Sequence, residues 1–285
     1  MTPLRLCIVT LLAMTAFAGN SLLCRLALKQ TGIDAASFTS IRLISGAIAL
    51  WLILSLRKGA RRDGGSWLAA LALFVYAAAF SFAYVSLSAG TGALLLFSAV
   101  QATMIGWGLW KGERLRVWQI VGLVLALSGL VALLFPGLSA PPLDGSILML
   151  GAGIAWGIYS LRGQAPGDPV CATAGNFLRA VPLAAVLSVV LLPWMKLDFS
   201  GVEYAILSGA IASGVGYAIW YTALPGLKAA SAATFQLSVP VLAAAGGITF
   251  LSEPITLRFL FASVAVLGGI ALVVLEKRRG LTSLR

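Results

Sequence analysis

The chain is 285 residues long, 60% hydrophobic and only 10% charged, with a net charge of +11 and a mean hydropathy of +1.00. Average soluble domains carry about 25% charged residues, so this chain cannot coat a water-soluble globule and is expected to be an integral membrane protein. The sequence contains no histidine, and Cys7, Cys24 and Cys171 lack CxxC spacing, which excludes imidazole relays and gives no reason to expect a disulfide framework, a metal site or a cofactor.

A spanning helix needs roughly 20 apolar residues. Ten runs meet that need: 4–28, 35–56, 67–87, 90–110, 115–135, 145–162, 170–193, 201–224, 229–251 and 256–276. They are too long and too evenly apolar for barrel strands of about 10 alternating residues. The first run follows Arg5 and contains Ala16, Phe17 and Ala18, a pattern shared with cleavable signal peptides. It is expected to be retained, because its loss would remove part of an internal repeat. The connections carry turn chemistry at Gly64-Gly65, Pro136-Gly137, Pro141-Pro142, Pro166-Gly167 and Pro225-Gly226.

The repeat runs through the whole chain. A shift of 137 residues sets Arg42 over Arg179 and Tyr84 over Tyr221, and a shift of 140 sets Ser98 over Ser238, Glu113 over Glu253 and Gly129 over Gly269. The expected architecture is therefore all-α and polytopic, with ten transmembrane helices in two repeats of five. The units are residues 1–136 and 144–280, joined by a linker at 137–143 and followed by a tail at 281–285. Five is odd, so the second unit enters the membrane from the opposite side. Inverted repeats of this kind are a recurring transporter architecture, since one fold used both ways up can alternate access.

Basic residues give the orientation. Fourteen fall on one side, at Arg5, Arg57, Lys58, Arg61, Arg62, Lys111, Arg114, Arg116, Arg162, Lys228, Lys277, Arg278, Arg279 and Arg285, against three on the other, Lys29, Lys196 and Arg258. That asymmetry places both termini in the cytoplasm. It also explains the basic clusters without nucleic acid as a partner.

Two stretches carry a family resemblance. One runs from Tyr84 through Leu95 and Ser98 to Gly112, Glu113 and Arg114, then Gly122 and Gly129. The other runs from Tyr221 through Ser238 and Pro240 to Ser252, Glu253 and Pro254, then Gly268 and Gly269. Both resemble the repeated half of EamA-type members of the drug/metabolite transporter superfamily, over essentially the whole chain. Val100 departs from the motif where Pro240 keeps it. The resemblance implies ten helices, a location in the cell inner membrane, and export of small metabolites, amino acids among them.

Several mid-span residues are candidates for the site. Tyr76, Phe80 and Tyr84 share one face of the third span at i, i+4 and i+8. Trp156 and Tyr159 in the sixth span and Tyr217 and Tyr221 in the eighth have similar spacing. A buried tyrosine hydroxyl needs a partner, so these residues are expected to line a central cavity as well as to pack. Asn20, Gln101 and Gln236 are amides within spans, where hydrocarbon offers them no hydrogen bond. Arg42 and Arg179 are costly there. Each either snorkels towards backbone carbonyls or, as a symmetric pair, faces the pathway and attracts a carboxylate. Pro240 is expected to bend the ninth span and free the Gln236 carbonyl, as a gate or hinge. Glu113 and Glu253 are read as capping or pairing at helix ends.

The expected substrate is a small metabolite, first an amino acid with an aromatic or other apolar side chain, moved by alternating access. The alternatives are drugs or phosphorylated metabolites, which would need more converging cations, and a membrane enzyme, which would need a nucleophile–base pair that the spans do not display. With no carboxylate deep in a span, facilitated diffusion is favoured over proton coupling. Gly122 with Ala126 and Ala265 with Gly269 are small-residue pairs for close helix packing, inside the bundle or at a dimer seam; the sequence leaves the oligomeric state open.

Overall fold

The computed structural model describes residues 3–57, 64–112, 114–137, 140–162, 168–223, 227 and 235–282. Lys58, Arg61, Arg62, Glu113, Lys228 and the turns at Pro166-Gly167 and Pro225-Gly226 lie outside the described residues. Ten helices follow one another among those described. They are α1 (Pro3–Gln30), α2 (Ala35–Leu56), α3 (Trp67–Tyr84), α4 (Ala89–Trp110), α5 (Val117–Leu134), α6 (Leu143–Arg162), α7 (Pro169–Val190), α8 (Phe199–Ala223), α9 (Ser238–Leu251) and α10 (Leu257–Thr282). Eight are long and apolar enough to cross a membrane; α9 is a shorter apolar helix, and α6 carries a more polar mix.

Side chains at the connections start these helices. Asp34 accepts from the amides of Ala36 and Ser37 at the start of α2. Ser66, Ser88 and Asp198 cap α3, α4 and α8, and Asp168 caps α7, whose first residue is Pro169. Each cap satisfies amides that the first turn leaves without an intrahelical acceptor.

Packing follows the repeat. Helices α2 and α7, α4 and α9, and α5 and α10 pair as symmetry mates, and the contacts of α1 with α8 and α9 mirror those of α6 with α3 and α4. The connectors fall at alternate ends. Asp34 bonds Lys196 at one end, whereas Asn176 takes the Ser66 amide at the other. The α5–α10 seam is where the small residues act: a Cβ on Gly122 would strike the Gly269 carbonyl, and one on Gly129 would meet the Ala265 Cβ at 2.8 Å. These pairs are used within the chain. Outward faces, with Val124, Val131, Val186, Phe261 and Val264 more than half exposed, form the lipid-facing surface.

Two helices carry local departures from a regular α-helix. Helix α8 widens into a π segment at Leu207–Val215. Helix α9 is regular from Ser238; Phe235 and Gln236 before it are helical, and a single turn residue, Leu237, interrupts the run with right-handed helical dihedrals of its own (φ −67°, ψ −15°). The interruption falls in the turn before Pro240, which has no N–H to offer the carbonyl four residues back.

Candidate functional site

Arg42 lies about two turns into α2 and is 1% exposed. Its Nη2 donates to the Tyr76 hydroxyl at 3.0 Å and its Nε to Ser213 Oγ at 3.3 Å. The Tyr76 oxygen also accepts from Asn20 Nδ2 at 3.3 Å, and Asn20 Oδ1 accepts from Ser208 Oγ at 2.6 Å. One polar chain therefore joins α1, α2, α3 and α8 at the middle of the bundle.

The π segment makes this chain possible. In an α-helix, residues five apart point about 140° apart around the axis. A π segment closes its ring at i→i+5 and turns such residues onto nearly one face. Ser208 and Ser213 are five apart, and both point at the cluster. Gly209 completes the fit: a Cβ there would strike the Arg42 carbonyl, so α2 can lie this close only against glycine.

Aromatic rings surround the polar chain. The Arg42 guanidinium carbon stands 5.2 Å from the Tyr76 ring centre and 4.9 Å from that of Phe80, within cation–π range. Tyr76 meets Trp156 at 4.7 Å, and Trp156 meets Tyr159 at 5.3 Å and Tyr217 at 5.1 Å. Phe80 and Tyr84 stack edge to face at 4.7 Å. Tyr221 packs half-buried against the same core. Phe17 of α1 and Phe177 of α7 close the ring set around Tyr217.

The other sequence candidates lie elsewhere. Arg179 donates to the carbonyls of Gly64 and Gly175, so it fits the snorkelling reading while Arg42 faces inward. Of the two readings, pairing with backbone carbonyls fits Arg179, whose Nη1 is held by two of them, so the two arginines are not used alike. Gln101 is buried beside a cavity of about 410 Å³ lined by Ser98, Leu130, Leu150 and Ile270, apart from the central cluster, and its Nε2 has no hydrogen-bond partner. Gln236 is half-buried and helical, just before the turn at Leu237. Pro240 lines a cavity of about 480 Å³ between α9 and α10.

Sequence reasoning missed Ser208 and Ser213; it read Glu253 as capping or pairing at a helix end without naming its partners, and the residue does both in a clamp at the end of the bundle that holds the α3–α4 connector. There, Glu253 Oε1 pairs with Arg25 Nε at 3.0 Å, and Oε2 takes the Ala89 amide at the start of α4 at 2.8 Å. Arg25 Nη1 donates to the Tyr84 and Val85 carbonyls at 2.8 and 2.9 Å. Ser252, at φ 52°, turns the chain so that Glu253 reaches back. At the same end, partial burial would raise the Asp34 carboxyl. The Ser37 hydroxyl and the amides of Lys196, Ser37 and Ala36 outweigh that burial and hold it below the usual carboxylate range. The signal for the two serines was present as Ser208-Gly209 and Ser213-Gly214, the same pair repeated five residues apart.

The sequence profile described as the EamA-like transporter family matches this chain twice, over residues 4–135 and 143–275. An uncharacterized Pseudomonas aeruginosa protein, PA1977, is 58% identical over 270 residues, covering 94% of each chain. The threonine/homoserine exporter RhtA of Escherichia coli (strain K12) is 35% identical over 173 residues, 56% of this chain and 57% of its own. A solved crystal structure superposes with a TM-score of 0.66 over 94% of this chain and 98% of its own, at 18% identity, and so shares the fold.

Proposed function

The chain belongs to the EamA-like transporter family, and from that premise we propose that it exports amino acids across the cell inner membrane, with both termini cytoplasmic. A multi-pass membrane transporter acts on a small molecule within the bilayer, so its cargo must meet side chains in the bundle. The observation that carries the reading is the central cluster, where Asn20, Tyr76, Ser208 and Ser213 supply hydrogen-bonding groups among aromatic rings. Such a set of groups suits a small amphipathic molecule once the helices part: ring faces for an apolar side chain, a few placed polar groups for the other end. The similarity of about half the chain to a threonine/homoserine exporter supports amino acids as the class.

Phosphorylated cargo would need several converging cations, and Arg179 is committed to backbone carbonyls. Access alternates as the two repeats rock against each other, parting the rings first on one side and then on the other. The described acids in and beside the helices sit at helix ends, as Asp144, Glu203 and Glu253 do, so facilitated diffusion is the expected mode.

Proteoliposomes preloaded with labelled phenylalanine, tryptophan, leucine, threonine or homoserine provide the test. At least one should leave faster than from protein-free vesicles, at a rate that a pH gradient does not change. Retention of every amino acid would overturn the reading.

A further inference from the structure

We propose that Arg42 is a carboxylate-binding group, so that cargo must carry a single negatively charged carboxylate to be recognised at the central site. The proposal rests on the amino-acid reading for its choice of probes, but its observations are separate. Arg42 is 1% exposed and far from any ordinary solution for a buried charge. Among the described residues the ion pairs are Arg25–Glu253 and Arg57–Asp168, so no acidic side chain there balances it. Its two hydrogen bonds go to neutral hydroxyls, those of Tyr76 and Ser213. Its Nη1 is buried with no hydrogen-bond partner.

A lone charge in such surroundings is expensive unless something pairs with it. A guanidinium presents its donors as a planar fork that matches the two oxygens of a carboxylate. Arg42 has one nitrogen of that fork unpartnered and the other on a tyrosine hydroxyl that an arriving oxygen can displace or share. The rings of Tyr76 and Phe80 beside the guanidinium keep water off it and strengthen the attraction. One guanidinium also sets what it can pair with: it matches a single carboxylate group, whereas a phosphate monoester would bring excess negative charge into hydrocarbon. The orphan nitrogen of Gln101 is less informative, since that side chain faces a groove lined mostly by apolar residues of α4, α5, α6 and α10.

The test compares matched ligands on purified full-length protein by thermal shift and by competition in the proteoliposome assay. The probes are phenylalanine, its amine without the carboxylate (2-phenylethylamine), its acid without the amine (3-phenylpropanoate), and the corresponding set for threonine. In the wild type, at least one carboxylate-bearing probe should stabilise the protein, and its matching amine should bind at least tenfold more weakly. Arg42→Gln should lose the carboxylate response at least tenfold, and Arg42→Lys, which keeps the charge but not the fork, should fall between. Equal response to an amine and its carboxylate partner in the wild type would overturn the proposal, as would the absence of any carboxylate response. The wild-type comparison stands even if a variant does not fold. Failure here differs from failure of the amino-acid reading. Amino acids transported as well as their amines would sink the Arg42 assignment alone, and 3-phenylpropanoate binding without any amino-acid transport would sink the amino-acid reading alone.

Discussion

Tyr76 accepts hydrogen bonds from both Arg42 and Asn20 through one hydroxyl oxygen. Tyr76→Phe would leave two buried donors unpaired, at about 1–3 kcal/mol each. It should therefore lower thermal stability and transport together. Unchanged melting of Tyr76→Phe would show the polar chain to be slack. Asp34 gives a test by pH. Its carboxyl is held low in the folded protein, so its contribution to stability is present above the unfolded-state value and is lost as pH falls through the folded one. The wild type should thus lose more stability than Asp34→Asn on acidification below about pH 4, and parallel pH–melting curves would contradict it. Asn20, Tyr76 and Trp156 could be picked out from the sequence because hydrocarbon gives polar groups and tyrosine hydroxyls no partner. Ser208 and Ser213 could not be singled out by residue type. Serines in spanning helices routinely bond to their own backbone four residues back, as Ser81 and Ser98 do here, and only the π register turns these two to the site.

At the scale of elements, the positions of the spans followed from the apolar runs, and the small-residue pairs of α5 and α10 named their own contact. Pro240 is the instructive case. Proline lacks the N–H that would bond the carbonyl four residues back, and the helical run is interrupted in that turn, at Leu237, between Gln236 and Ser238. We connect that interruption to opening of the gate between α9 and its neighbours. Pro240→Ala removes the reason for that break. Turnover should slow several-fold while the half-saturation concentration stays within about threefold, under about 0.7 kcal/mol. A large loss of binding at unchanged turnover would place Pro240 in the pocket instead. Glu253 was legible as a capping or pairing residue, but its partner was not: Arg25 is 228 residues away and meets it only when the two repeats pack.

For the whole molecule, the odd number of spans per unit agrees with the paired helix contacts, and the one-sided basic residues predict that both termini are cytoplasmic. Reporter fusions that fold only outside the cytoplasm should be inactive after Arg62 and Lys277 and active near Pro141. Activity after Arg62 would reverse the topology. The central claim is that cargo passes through the cluster joining the two halves, and one cysteine tests it. In a chain whose three cysteines are replaced, Ser208→Cys places a thiol on the residue that now bonds Asn20. Maleimide modification of that thiol should abolish amino-acid efflux from proteoliposomes, and a transported amino acid should slow the modification. Full efflux from protein quantitatively modified at position 208 would contradict passage through this cluster.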